Sequence, residues 1–448
     1  MKFGGTSVAD ADRIRAAAQR AINARNAGHQ VVMVVSAMGH ATDELVCLAA
    51  RITDNPSKRE MDQLLATGEQ VTISLMAMAM EAMGAPAISF TAGQIGIITD
   101  NVHTKAKIKS IDVQRLRAAL DAGKIGIVAG FQGVTQDGAI TTLGRGGSNV
   151  TLVAIAAALG AKMCENYTDV DGIFTADPRI VPNARKIDVI SYDEMLELAS
   201  LGANVLHNRA VEFAKKYNVP IHVRNSQNNK KGTMIVAETE SMERIVVSGV
   251  ALKDKLARIT LRNVPDHPGL AASIFQTIAT NNIVVDDIIQ TIADNKTATI
   301  AFTVDIAELP ETKKVMDHLA RELKCEATVE DHLAKVSAVG MGMRIHTGVA
   351  ERMFAALAAG KINIQNITTS EIKISVLIDR GQGPQALRLV HDAFDLGSAP
   401  ARPATRKHAA KRAGKAKKKP PLSQESKSLD PKGLAPGGPS SGSQDKRR

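Results

Sequence analysis

The chain has 448 residues, a formal charge of +10 and 44% hydrophobic residues, which suits packed cores and two to four domains. Aromatic residues are only 3% and tryptophan is absent, which argues against the stacking platforms that grip single-stranded nucleic acid. The basic character is local: fourteen Lys/Arg face three Asp/Glu from Ser398 onward, leaving a formal −1 for everything before it.

Three widely spaced cysteines, Cys47, Cys164 and Cys325, read as reduced thiols, and the longest apolar run near the N-terminus, Val31 to Val35, is too short for a signal sequence or a membrane span. A soluble cytoplasmic protein is expected.

In chain order, Lys2-Phe3-Gly4-Gly5-Thr6-Ser7 sets a lysine, two glycines and two hydroxyls before a helix from Ala11 to Ala27. Bare backbone amides, a mobile cation and hydroxyl donors suit polyphosphate. The order is not that of a P-loop, whose lysine follows the second glycine. Val31 to Val35 reads as a buried strand ending in Ser36-Ala37-Met38-Gly39, and the Met-rich piece Ile73 to Met83 reads as core helix, because Met fills irregular gaps. A helix from Val113 to Ala122, a strand from Lys124 to Phe131, a helix from Val150 to Gly160 and a strand from Lys162 to Tyr167 follow. Continuous apolar strands between helices predict an α/β sheet, mostly parallel, with ligands at its C-terminal edge.

Two loops concentrate chemistry. Leu143-Gly144-Arg145-Gly146-Gly147-Ser148-Asn149 packs three glycines and an arginine into a turn before a helix, either an anion cradle or a plain loop needing positive φ. Thr168-Asp169-Val170-Asp171-Gly172-Ile173-Phe174-Thr175-Ala176-Asp177-Pro178-Arg179 gathers carboxylates, hydroxyls and an arginine after a strand, as a nucleotide with its metal, or a solvated turn, would require.

After about residue 245 the pattern changes. A strand (256–261), a turn (264–269), a helix (270–279) and strands at 283–285 and 297–304 recur as a strand (334–339), a helix (349–359) and strands at 362–364 and 372–378. This is an internal βαββ repeat of roughly 75 residues, predicting two small α+β modules. From Ser398 to Arg448 the composition predicts a disordered basic tail. Its Lys-rich stretch Lys415-Ala416-Lys417-Lys418-Lys419 reads as a solvated extension rather than a nucleic-acid contact.

Together these stretches, with Thr42-Asp43, Leu64-Leu65-Ala66-Thr67-Gly68-Glu69 and Thr369-Ser370-Glu371-Ile372, resemble the aspartokinases from Lys2 to about Gly397. The resemblance implies an amino-acid-kinase three-layer αβα sandwich at 1–240, ACT modules of ferredoxin-like α+β fold at 250–325 and 333–397, and the tail at 398–448. It implies transfer of the γ-phosphoryl group of ATP to the β-carboxylate of L-aspartate, the first step of lysine, threonine, methionine and diaminopimelate biosynthesis. Lys2, Phe3, Gly4, Gly5, Thr168, Asp169, Phe174, Thr175, Ala176, Asp177, Pro178 and Arg179 would bind ATP. Ser36, Thr42, Glu69, Arg145, Gly146, Gly147 and Ser148 would bind aspartate, with Lys2, Glu69 and Arg145 central to catalysis. Mg2+ is implied by the phosphates, since the sequence shows no metal-ligand set. Asp266, His267, Pro268, Gly269, Leu270 and Ala271 would form the turn for an amino-acid effector, lysine, threonine or both, and the ACT modules imply a homo-oligomer or a catalytic-regulatory assembly.

Three departures from the family pattern stand out. Asn149 occupies an aspartate position, read either as a helix-start residue or as a weakened substrate contact. Asn204 occupies a position that is lysine in many members. The residues before Lys2 are fewer than usual, which predicts a poorly anchored first strand and a truncated start, and the short strand at the far end is missing. The alternative these departures raise is a catalytically weakened or inactive amino-acid sensor.

Overall fold

The computed structural model describes residues 1–202, 205–239, 242, 245–281, 283–292 and 297–398. Asn204, and the tail from residue 399 onward, lie outside them. The first half contains twelve strands among the described residues: β1 Lys2–Phe3, β2 Val32–Val35, β3 Ala87–Phe90, β4 Ile97–Thr99, β5 Ile108–Ile111, β6 Ile125–Ala129, β7 Gln132–Val134, β8 Ile140–Thr142, β9 Cys164–Thr168, β10 Val189–Ser191, β11 Ile221–Asn225 and β12 Thr233–Val236. Its α-helices are α1 Ala11–Asn26, α2 Ala41–Ile52, α3 Lys58–Ala82, α4 Gln114–Asp121, α5 Gly147–Leu159, α6 Tyr192–Ser200 and α7 Asn208–Tyr217.

Eight strands form the main sheet in the order β10-β12-β11-β9-β1-β2-β6-β3, parallel except for the β11–β12 pair. Alternation along β2 sorts its side chains to two layers. Met33 and Val35 pack with Ile14 and Ala18 of α1 and Met76 and Met80 of α3, while Val34 packs with Leu116 of α4 and Ile155 of α5. The three-layer αβα expectation is therefore met. The Met-rich stretch is core helix along its Met76 and Met80 side, with Met78 turned to solvent. A smaller sheet, β5-β4-β7-β8, flanks the main one.

β1 is two residues long, yet Lys2 is paired on both sides, with Val34 of β2 and Asn166 of β9. The expected loose anchoring is thus corrected: two parallel neighbours hold the lysine in register. At the opposite edge, Met1, Val32, Leu152, Ile155 and Cys164 line a cavity of about 1100 Å³.

The second half has β13 Gly249–Pro265, α8 Leu270–Thr280, β14 Asp286–Ile292, β15 Thr297–Asp305, α9 Leu309–Leu323, β16 Glu326–Val339, α10 Val349–Ala359, β17 Asn366–Ser370, β18 Lys373–Asp379 and α11 Gly383–Ala393. All six strands lie in one sheet, ordered β14-β15-β13-β16-β18-β17. The long strands β13 and β16 each belong to both modules. The C-terminal half of β13 opens the first module and pairs with β15, while Gly249 to Lys253 pairs with Val339 to Lys335 of the second. Glu326 to Leu333 closes the first module, and Leu333 to Val339 pairs with β18 of the second. Each module thus takes its fourth strand from the other's first, and Gly249 to Lys253 fills the place of the short strand that seemed missing from the end of the chain.

Candidate functional site

The parallel strands β11, β9, β1, β2 and β6 are consecutive in the sheet, and five loops leave from their C-terminal ends, while the glycine turn reaches the same edge from β8 of the smaller sheet. That edge is where ligands sit in open parallel sheets. In the same spatial order these loops begin at Ser226, Asp169, Gly4, Ser36 and Gly130. The lysine of the central strand, Lys2, lies between two groups of loops.

Lys2 is buried, and burial lowers its ammonium to about 8 against the opposing pull of Asp169. A Cβ placed on Gly4 would lie 3.4 Å from the Lys2 Nζ, and one on Gly5 would come within 2.8 Å of the Ala37 carbonyl oxygen. Bare backbone is therefore required at Gly5, where a side chain would collide with the loop after β2, whereas one at Gly4 would only touch the end of Lys2. Phe3 points the other way: fully buried, it stacks on Tyr167 with ring centroids 4.6 Å apart, so only its backbone belongs to this edge.

On the β2 side, the Ala37 amide donates to Glu69 Oε1 at 3.0 Å, and the Ser36 hydroxyl donates to the Ser148 hydroxyl at 3.0 Å. Glu69 is 2% exposed, and its Oε2 has no hydrogen-bond partner. Burial raises its carboxyl to about 7, against the amide bond from Ala37. An unpaired, desolvated carboxylate oxygen is costly unless a donor arrives. Thr42 is half-buried in the first turn of α2, which follows the same loop.

The glycine turn begins α5. Gly146 is its N-cap with φ +71°, and a Cβ there would meet the His207 side chain at 2.4 Å. Arg145 is exposed. The His207 imidazole is lowered from its ordinary range first by burial and then by Arg209 and Arg145. Arg209 donates to the Leu143 oxygen at 2.6 Å and the Ala106 oxygen at 3.0 Å, so the start of α7 clamps the turn. Asn149 is 8% exposed with its Oδ1 unpartnered. The cap of α5 is Gly146, which makes no side-chain cap bond, so Asn149 is not the capping residue. Phe131, at φ +68°, and Gly130, where a Cβ would lie 2.7 Å from the Ser148 Oγ, press the start of α5 against the end of β6. His207, Arg209 and Phe131 carried no sequence signal; only an ordinary helix start and strand end were readable there.

Beyond β1, Thr168 donates to Asp169 at 3.1 Å. Asp171 accepts from Asn225 at 2.7 Å, Asn228 at 2.8 Å and Lys230 at 2.8 Å, and these bonds, led by Lys230, hold its carboxyl at about 2. The loop Ser226 to Lys231 thereby joins the edge; its run of Asn and Lys was the signal available.

The rest of that motif goes elsewhere. Thr175 is fully buried, contacts His391 Nε2 of α11 at 3.0 Å, and accepts from the Arg185 amide at 2.9 Å. Its carbonyl takes the Val250 amide of β13 at 2.7 Å. Ala176 is buried with Val349 and Leu387 of the second module. Asp177 pairs with exposed Arg179 at 2.7 Å. Thr175 and Ala176, expected among the ATP-binding residues, thus have their side chains buried at a junction with the second module. A second junction is Glu194 of α6, 2% exposed, which accepts from Ser191, from the Ser248 hydroxyl at 2.5 Å and from the Met341 amide at 3.1 Å. The turn Asp266 to Ala271 leads into α8, with Gly269 as N-cap at φ +93° and Leu270 buried beneath it.

Residues 1–225 match the amino acid kinase family, and residues 259–323 and 336–394 match ACT domains. The chain is 50% identical over 403 residues to an aspartate kinase of Pseudomonas putida, covering 90% of this chain and 98% of that protein. It is 52% identical over 400 residues to aspartokinase 2 of Bacillus subtilis, covering 89% and 98%. The chain belongs to the aspartokinase family. Its fold resembles that of E. coli aspartokinase III solved in complex with aspartate and ADP, with 26% identity, a TM-score of 0.77, and coverage of 88% of this chain and 98% of that one.

Proposed function

We propose that the cleft along the ends of β9, β1 and β2 carries out the aspartokinase reaction, phosphorylating the β-carboxylate of L-aspartate with ATP to give 4-phospho-L-aspartate. The observation that carries the residue assignment is Glu69, a buried carboxylate with one oxygen unpaired and the other bonded to the Ala37 amide, next to Ser36, whose hydroxyl meets Ser148 after the glycine turn. It is the acceptor for the substrate ammonium, with the unpaired oxygen of Asn149 as a second, uncharged acceptor. Arg145 takes the α-carboxylate through a two-pronged ion pair, and Ser36, Thr42 and Ser148 surround the rest of the substrate.

The nucleophile is a carboxylate with a free pKa near 4, ionised at neutral pH, so no general base is needed. Catalysis then rests on alignment and on neutralising transferred charge. Lys2 and the amides of Gly4 and Gly5 hold the phosphates. Thr168, Asp169, Phe174 and the loop from Ser226 to Lys231 border the nucleotide. Mg2+ would enter with the phosphates and offset their charge, with Asp169 as the carboxylate on that edge.

The ACT modules serve as a feedback unit for an amino acid. E. coli aspartokinase III has been solved with lysine and aspartate, which supports lysine as an effector, and the turn Asp266 to Ala271 is the place proposed for it or for threonine. Exposed Ile288 and Ile292 on edge strand β14, and Ile367 on β17, support assembly of copies through these modules. No helix among the described residues is long and apolar enough to cross a membrane; together with three unpaired thiols this supports the cytoplasm as the compartment.

The test is ADP release with L-aspartate, ATP and Mg2+, with and without lysine and threonine. Aspartate-dependent release that Glu69→Gln weakens through the aspartate KM supports the assignment. Absence of aspartate-dependent release would instead favour the inactive-sensor reading.

A further inference from the structure

Asp62 belongs to no part of the site described so far. It is fully buried near the start of α3, seven residues before Glu69 and therefore on the same helical face. Its carboxylate is saturated by donors from two other segments. The Thr142 hydroxyl donates to Oδ1 at 2.5 Å, the Thr104 amide reaches Oδ1 at 3.1 Å and Oδ2 at 3.0 Å, and His103 Nδ1 lies 2.7 Å from Oδ2.

Both segments touch the glycine turn. Thr142 ends β8 and is followed by Leu143. Thr104 is a β-branched residue at φ +68°, a backbone conformation that persists only where its surroundings impose it. In that conformation its carbonyl oxygen would lie 3.0 Å from a Cβ on Gly144, so Thr104 rests directly on the turn. The Ala106 amide donates to the Thr142 oxygen at 3.0 Å and closes the brace.

We infer that Asp62 is a positioning residue for the substrate turn, fixing Thr142 and Thr104 beneath Gly144 and so setting where Arg145 stands relative to Glu69. One rigid helix then carries both reference points. Glu69 meets the ammonium end of the amino acid directly, and Asp62 sets the level of the arginine that meets its α-carboxylate. The inference rests on the aspartate assignment above and adds to it a specificity device: α3 fixes the spacing between the two ends of the substrate.

The test uses the full chain with Thr142→Val, Thr142→Ser and Asp62→Asn, each checked for folding by circular dichroism and thermal melting. Thr142→Val is expected to raise the KM for L-aspartate about tenfold, with the KM for ATP within about twofold of the parent, because ground-state placement of one substrate alone is disturbed. Thr142→Ser, which keeps the hydroxyl, restores the parent value, and Asp62→Asn exceeds the Thr142→Val effect. If Asp62→Asn does not fold, the Val/Ser pair decides alone. A folded Thr142→Val enzyme with an unchanged aspartate KM overturns the inference. So does a common rise in both KM values, or a fall in kcat alone, either of which marks a merely structural role. Arg145→Ala separates the two levels. If it leaves the aspartate KM at the parent value, the substrate assignment fails and takes the inference with it. If it raises that KM while Thr142→Val does not, the inference alone fails.

Discussion

Replacing Glu69 by glutamine keeps size and shape but removes the buried charge, and it should move stability and substrate affinity in opposite directions. Burial lifts this carboxyl from 4.5 to about 7, which corresponds to about 3 kcal/mol of preference for the protonated form. The sign follows from proton binding. Between those two values the native state keeps a proton that the unfolded chain has released, so stability falls as pH rises through the window. Above it, the native state bears the full cost of the buried anion. Glutamine bears none, so Glu69→Gln should match the parent in stability near pH 4.5 and exceed it by up to about 3 kcal/mol at pH 8. The same change replaces a charged acceptor for the substrate ammonium with a neutral one, a loss of roughly 1–2 kcal/mol, or about tenfold or more in the aspartate KM. Thermal melting across this pH range, with steady-state kinetics at pH 8, checks both halves. A stability difference that stays constant across pH, or a destabilised variant at pH 8, would refute the reasoning, because the orphan oxygen would then not be a desolvated anion.

Asn149→Asp should lower the aspartate KM about tenfold, since a charged acceptor replaces an amide oxygen that has no partner; unchanged kinetics would remove Asn149 from the substrate's reach. The pH profile of kcat/KM for aspartate should be a narrow bell in the free enzyme. It rises as Glu69 loses its proton through about 7 and falls as Lys2 loses its charge above about 8. A plateau reaching well above pH 9 would contradict the buried state of Lys2. Glu194→Ala leaves the Ser248 hydroxyl and the Met341 amide without their shared acceptor. It should cost about 3 kcal/mol and split thermal unfolding into separate steps for the two halves, visible by calorimetry.

Much of the site was readable because its residues sit where strand, glycine and helix succeed one another. Lys2 to Ser7 and Leu143 to Asn149 announce a strand end, bare backbone and a helix start, and the structure places them on one sheet edge. What escaped reading has a common cause, namely contacts between segments far apart in sequence. Thr175 looks like one more loop hydroxyl beside Asp171 and Asp177, and only the approach of His391, 216 residues later, makes it a junction. Asp62 looks like an ordinary acid near a helix start, and its burial depends on Thr104 and Thr142 arriving from other elements. The repeat was visible as two consecutive βαββ units. Its reciprocal exchange of fourth strands was not, because the register of β13 against β16 has no local signature in either strand.

That exchange limits how the chain can be divided. A cut after residue 325 would leave the first module without its closing strand, and a fragment starting at residue 333 would lack the edge that Gly249 to Lys253 provides. Neither module is a separable cassette, so trimming or swapping one alone should expose a raw strand edge and invite aggregation. The regulatory strands begin with β13 at Gly249, after β12 ends at Val236, so the chain passes from one half to the other once. Chimeras that exchange feedback behaviour between relatives should be joined there, carrying both modules together.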